Sequence, residues 1–202
     1  MKEIQGKIKR VTEGSRYYEL DNKRYPSTTQ ILSFYPKTKQ FYNWLMAVGK
    51  KADEIRDTAA EKGSKIHEAI ENHLRGKNFN YDKTTIKYLD QFKKWFNSNK
   101  IKVIDIEKFI VNKEIGYAGT VDLIIELNGV LYIIDIKTGK GIYPTHHLQL
   151  SAYKHAVFPR TKCKLGILHL TEDSYEFIET KDLFDLFLSV FEIYKHEQNQ
   201  KI

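Results

Sequence analysis

The sequence predicts an α/β fold in which a mixed central β-sheet is flanked by helices, with a hairpin and a helical region ahead of the sheet. Three observations point there. Residues 51–97 repeat apolar side chains at helical spacing, and residues 101–137 then switch to three β-branched runs. After Pro144 a helical pattern returns before two further strand-like runs.

In chain order, a hairpin is expected from residues 17–20 and 24–25 around Asp21-Asn22. Ser27 or Thr28 then caps a helix through Leu32 that Pro36 ends. Helices follow over 38–48 and 51–74, the second striped by Ile55, Ala59, Gly63, Ile66, Ile70 and Leu74. A helix over 82–97 has Asp82 as its cap and Ile86, Leu89, Phe92 and Phe96 on one side. Strands are expected over 101–111, 117–127 and 130–137, then a helix over 144–157, strands over 165–170 and 175–178, and a core helix over 181–196.

The 202 residues suggest one domain spanning 1–202: a hairpin plus helical region (1–99), a catalytic sheet core (100–180) and a C-terminal helix (181–202). Apolar residues make up 41%, enough for a sizeable core. The excess of 33 Lys plus Arg over 26 Asp plus Glu permits a polyanionic partner, and is equally compatible with a solvated basic surface. No apolar run approaches the ~20 residues of a membrane span. The N-terminus has neither a secretory nor a transit pattern, so a cytoplasmic setting is expected. Cys163 is the only cysteine, which excludes an internal disulfide, a cysteine-ligated iron-sulfur cluster and a cysteine zinc site. A nucleotide-driven motor is excluded by the lack of a Gly-rich phosphate loop ending Gly-Lys-Ser or Gly-Lys-Thr.

The chemistry concentrates around Asn128-Gly129, a strong hairpin signal because both residues tolerate the positive φ of a type I′ turn. If the turn joins Leu127 to Val130, residues numbered to sum to 257 face each other. Asp122 then opposes Asp135, and Thr120 opposes Lys137. Like charges so placed destabilise a sheet, so something must compensate. A hard divalent cation such as Mg²⁺ suits these oxygens, lowering the pKa of a water and polarising a phosphoryl oxygen. Hydrolysis of a phosphodiester follows. Lys137 either orients the attacking water or neutralises charge on the phosphorus oxygens; without a metal it is a structural partner of the aspartates. The other reading, an exposed charged hairpin face, fits poorly with Leu123 to Ile125 and Tyr132 to Ile134, which look buried on both faces.

Gly119-Thr120-Val121-Asp122 with Asp135-Ile136-Lys137-Thr138-Gly139 resembles the PD-(D/E)XK nuclease signature of the RecB-type branch. Gly63-Ser64-Lys65-Ile66-His67 upstream and Gln149-Leu150-Ser151-Ala152-Tyr153 downstream fit the same pattern. Tyr25-Pro26-Ser27-Thr28-Thr29-Gln30-Ile31-Leu32 is similar to the start of mitochondrial genome maintenance exonucleases and their phage relatives. The resemblance spans roughly residues 17–157. It implies a restriction-endonuclease-like core, DNA as substrate, Mg²⁺ or Mn²⁺ as cofactor, and a phage-infected or bacterial cell as setting. It also implies that His67, Asp122, Asp135 and the carbonyl of Ile136 hold the metal and that Lys137 is catalytic. Two departures stand out: Val121 replaces the usual proline, and the second acid is Asp135 where Glu is common.

Taken on its own, His67 lies at the edge of the buried stripe where Gly63 leaves space, facing either a pocket or solvent. Glu107 either joins the acidic cluster or is solvated. Gln149 and Tyr153, four apart on one helix face, can reach a phosphate and a nucleotide or else pack inward. Thr120, Lys65, Lys140 and the Lys93-Lys94 pair are candidate DNA contacts. The aromatics at 17, 18, 35, 41, 42 and 44 either stack on unpaired bases or fill the core. The expected activity is therefore that of a metal-dependent DNA exonuclease preferring single-stranded ends, with an endonuclease or an inactive DNA-binding module as alternatives.

Overall fold

The computed structural model describes residues 9–11 and 17–200. The first element is a small antiparallel sheet of β1 (Lys9–Val11), β2 (Tyr17–Leu20) and β3 (Lys23–Pro26). Asp21 and Asn22 take φ of 53° and 60°, the left-handed pair that a two-residue hairpin turn requires. Sequence reading anticipated β2 and β3 but not β1. Tyr18, Leu20 and Tyr25 bury against Val111 and Ala118, which clamps the hairpin onto the main sheet.

Side-chain caps set the next helix starts. The Ser27 hydroxyl accepts from the Gln30 N–H (3.0 Å) at the head of α1 (Thr28–Leu32). Thr38 accepts from Phe41 (3.3 Å) at α2 (Lys39–Val48). A 3₁₀ turn over Gly49–Lys51 leads into the long α3 (Ala52–Leu74). Asp82 accepts from Thr85 (2.9 Å) at α4 (Lys83–Asn97). The first helix stops at Leu32, short of Pro36.

The main sheet has five strands in spatial order: β4 (Ile101–Asn112), β5 (Tyr117–Leu127), β6 (Val130–Lys137), β7 (Lys164–Leu170) and β8 (Tyr175–Thr180). All neighbours are antiparallel except β6 and β7, which are joined by the crossover helix α5 (Pro144–Val157). The expected mixed α/β sheet is what forms. The chain closes with α6 (Phe184–Asn199), whose Phe187, Val190 and Phe191 are buried.

Helices α3 and α4 cover one face of the sheet, packing Ile66, Ile70, Phe92 and Trp95 on Leu123, Ile125, Ile134 and Leu168. On the other face, Leu150 and Tyr153 of α5 pack with Val121, Ile124, Ile133 and Ile167, so β5 and β6 are apolar on both sides. Helix α6 packs Phe187 and Phe191 against Tyr117, with Ile31 of α1 beside them. The apolar stripes differ from expectation in two places. The first half of α3 lies outside the core, leaving Ile55 exposed, and α4 turns Tyr88, Leu89, Phe92 and Trp95 inward while Ile86 faces solvent. No helix among the described residues is long and apolar enough to cross a membrane.

Candidate active site

Asn128 and Gly129 take φ of 50° and 81°, so the type I′ turn forms and the 257 register runs from Leu127–Val130 to Leu123–Ile134. There the ladder stops. Asp122 and Asp135 do not pair as ladder partners. The backbone N–H of Ile136 donates to Asp122 Oδ2 at 2.7 Å, so a carboxylate takes over where a strand carbonyl would accept. Thr120 and Lys137 likewise part company. Thr120 pairs with Phe109 of β4 and bonds the Tyr18 hydroxyl (2.8 Å), while Lys137 pairs with His169 of β7.

The splayed strand ends open one side of a cleft of ≈ 400 Å³ lined by His67, Glu107, Thr120, Asp122, Asp135, Lys137, Gln149 and Tyr153, with Gly63 and Ser64 of α3 and Thr28 and Thr29 of α1 at its walls. Asp122 and Asp135 thus share one cavity. Lys65, by contrast, pairs with Glu61 (2.8 Å) on the outer face of α3 and does not line the cleft, and neither do Lys93, Lys94 or Lys140. His146 and His147 are engaged in the fold: Nδ1 of His146 accepts from the Tyr143 N–H at the start of α5, and His147 bonds Thr180.

Asp135 is 1% exposed, and neither of its carboxylate oxygens receives a hydrogen bond. Lys137 Nζ lies 2.7 Å from Oδ2 as an ion pair, off the angle of a hydrogen bond. Lys137 also donates to Gln149 Oε1 (3.2 Å), and Gln149 Nε2 donates to the Tyr153 hydroxyl (2.8 Å). Burial pushes the Asp135 carboxyl up to about 6; Lys137 opposes this and the nearby Asp122 charge adds to it. Burial acts on Asp122 in the same sense, but His67 and Lys137 outweigh it and hold that carboxyl below its usual range.

On the α3 side, His67 Nε2 lies 3.1 Å from the Ile136 carbonyl oxygen, while Nδ1 faces Asp122 Oδ1 (3.5 Å) and Glu107 Oε1 (3.8 Å). Burial alone would lower the imidazole, yet the two carboxylates raise it to about 10. His67, Glu107 and Asp122 each offer a ligand atom within 4.8 Å of the others. A buried carboxylate that accepts no hydrogen bond, beside this imidazole and its carboxylates, is a donor set suited to a hard or borderline divalent cation, so the residues fit the metal that the motif implies.

Sequence reading left Glu107 undecided. It faces Asp122 because the β4–β5 ladder closes at Asn112–Tyr117 over a four-residue turn, and the flanking pairs Ile106–Leu123 and Lys108–Val121 bracket the two acids. The signal was the turn at 113–116, which is less distinctive than Asn-Gly.

Gly119 has a packing role. A Cβ there would stand 2.5 Å from Tyr153 Cε1 and 3.3 Å from Thr28 Oγ1. The ring is buried and tethered through Gln149, so it cannot simply swing away. Gly119→Ala is expected to cost about 1–3 kcal/mol by overpacking and to lower activity by shifting the Gln149 amide that steadies Lys137. Urea denaturation and turnover, measured on one preparation, check both; unchanged turnover would sever Tyr153 from the site.

No curated protein matches the chain. Among solved structures it is similar to an alkaline exonuclease (LHK-Exo) from Laribacter hongkongensis, at 15% identity and a TM-score of 0.46, covering 88% of this chain and 89% of that one. A complex of LHK-Exo with dAMP gives 13% identity and a TM-score of 0.45 at the same coverage. SSO0001 gives 17% and 0.43, covering 86% of this chain and 75% of that one. A family model for the PD-(D/E)XK nuclease superfamily matches residues 39–166, from α2 through the five-residue motif of β6 and into β7. With most of its length matched and the two aspartates, the lysine and His67 around one cleft, the chain belongs to the PD-(D/E)XK nuclease superfamily.

Proposed function

We propose that the protein is a metal-dependent deoxyribonuclease that hydrolyses phosphodiester bonds from single-stranded DNA ends, using Mg²⁺ or Mn²⁺. The observation that carries this reading is Asp135: a fully buried carboxylate without a hydrogen-bond donor, facing a cleft beside an ammonium, is costly unless a cation completes it. A divalent cation there supplies activation of water and neutralisation of phosphoryl charge.

The chain's own groups do the rest. Asp122 and Asp135 hold the cation, with His67 at their edge. Asp135 and Gln149 grip the Lys137 ammonium from two sides, leaving it free to donate to a phosphate oxygen and stabilise the charge that grows there. Thr120 and Tyr153 line the same cleft, and their proposed role is to contact the phosphate backbone. The formal charge of +7 favours a polyanion. The preference for a free single-stranded end rests on the resemblance of the 25–32 segment and its neighbouring motifs to exonucleases.

Linear and circular single-stranded DNA, each with Mg²⁺, with Mn²⁺ and with chelator, separate the alternatives. The expected result is metal-dependent loss of the linear form with the circle intact. Cutting of the circle identifies an endonuclease. Binding of both forms without cleavage under any metal identifies a binding module and overturns the proposal.

A further inference from the structure

The aromatic side chains ahead of α3 divide in two in the folded chain. Tyr18 is buried and Tyr35 packs on the cluster around Phe187, so these serve the core. Helix α2 does not. None of its residues is buried or packs into the hydrophobic clusters. Yet it carries Phe41, Trp44, Leu45 and Val48 at helical spacing, with Tyr42 (53%) and Met46 (75%) exposed beside them. An apolar helix face that nothing in the described chain covers calls for an occupant from outside it.

Charge and place select that occupant. Lys37, Lys39, Lys50 and Lys51 flank the rings, residues 37–52 contain no acid, and none of these four lysines forms an ion pair among the described residues. Acids return in α3 with Asp53, Glu54, Asp57 and Glu61, of which Asp53 and Glu61 pair with Arg56 and Lys65. Lys37 Nζ stands 5.9 Å from the centre of the Phe41 ring, and the Phe41 and Trp44 rings are 5.8 Å apart, so an ammonium borders the aromatic pair. Through the 3₁₀ turn, α2 leads into α3, whose Ala60, Gly63 and Ser64 line the cleft. At 1.5 Å per residue the start of α3 is roughly 12 Å from that lining, a span of a few nucleotides. Rings beside ammonium groups suit a polyanion that offers open aromatic faces. Unpaired bases offer them, whereas in a duplex neighbouring base pairs cover them.

We propose that α2 is a docking platform for single-stranded DNA, on which unpaired bases stack against Phe41 and Trp44 while the flanking lysines hold the phosphates. This deepens the single-strand reading above and rests on it, and it assigns the preference to a helix that takes no part in hydrolysis.

Tryptophan fluorescence tests the contact directly. The chain has two tryptophans and Trp95 is enclosed at 2% exposure, so quenching by DNA reports on Trp44. Titration of the full chain, in chelator, with an oligothymidylate of about 16 nucleotides is expected to quench part of the emission. Trp44→Phe keeps a ring and is expected to bind with near-parent affinity while losing that quenching. Phe41→Ala with Trp44→Ala is expected to weaken single-strand binding roughly 10- to 100-fold, with duplex affinity and melting temperature unchanged because these rings support no core. Lys39→Gln with Lys50→Gln and Lys51→Gln is expected to flatten the slope of log affinity against log salt by about 2. Binding by the parent without quenching, or parent-like single-strand affinity in the double alanine variant, overturns the platform and leaves the nuclease reading standing. Self-association of the parent that the double variant loses identifies a second copy as the occupant and also overturns it. A parent that neither binds nor cleaves single-stranded DNA overturns both.

Discussion

Lys137→Ala is expected to lower turnover on single-stranded DNA by roughly 10²- to 10⁴-fold while Mn²⁺ and DNA still bind. The reason is positional. The ammonium stands 2.7 Å from Asp135 and 3.2 Å from the Gln149 amide oxygen, with its side chain 21% exposed toward the cleft. Asp122 and His67 do not depend on it for their placement, since Asp122 is held by the Ile136 N–H and His67 by α3. A catalytic lysine therefore separates cleanly from a metal ligand: kcat falls and the Mn²⁺ isotherm survives. If Mn²⁺ binding collapses along with activity, Lys137 is a structural counter-ion of the aspartates. If activity persists, the phosphate is stabilised by another group. Lys137→Arg is not expected to restore the rate, because a planar fork cannot occupy the point between Asp135 and Gln149 that the compact ammonium fills.

The path from sequence to this geometry was short wherever a local signal set it. Asn128-Gly129 dictated a turn, the turn dictated a register, and that register runs unbroken to Leu123–Ile134. The caps Ser27 and Asp82 each accept the backbone N–H that their position predicts. Reading failed where a long-range fit decides. The ladder stops one pair before the aspartates because their charges and the Ile136 N–H make a better bond than the strand would. Glu107 is ambiguous because its facing depends on the 113–116 turn that closes the β4–β5 ladder, a turn less distinctive than Asn-Gly. Gly119 reads as one more motif glycine until the Tyr153 ring is seen against it. Periodicity also overstated the buried part of α3, whose Ile55 end extends beyond the sheet that would cover it.

Asp135→Asn is expected to abolish measurable hydrolysis and yet, in chelator at pH 7 to 8, to unfold at a temperature equal to or above that of the parent. Ordinarily, removing one member of a buried ion pair destabilises a protein because the other is stranded. Lys137 is not stranded: it reaches solvent and keeps the Gln149 oxygen. Asp135 itself has no hydrogen-bond donor on either oxygen. Its carboxyl is raised to about 6, so above that pH the ionised form is worse off in the folded chain than in the unfolded one, and the charge works against folding. An amide in its place relieves a cost of about 1–3 kcal/mol, which for a chain of this size is read as roughly 2–4 °C per kcal/mol. Mn²⁺ reverses the ranking: it is expected to raise the parent's melting temperature, by about 2.7 kcal/mol of stabilisation at a hundredfold excess over Kd, and to leave the variant nearly unmoved. A variant that melts well below the parent in chelator would show that Asp135 is there to hold Lys137. A variant that still gains stability from Mn²⁺ would show that the cation is held without it. Only the expected pair of results, stability kept or gained without metal and the metal response lost, marks a carboxylate that the fold tolerates for the sake of an ion.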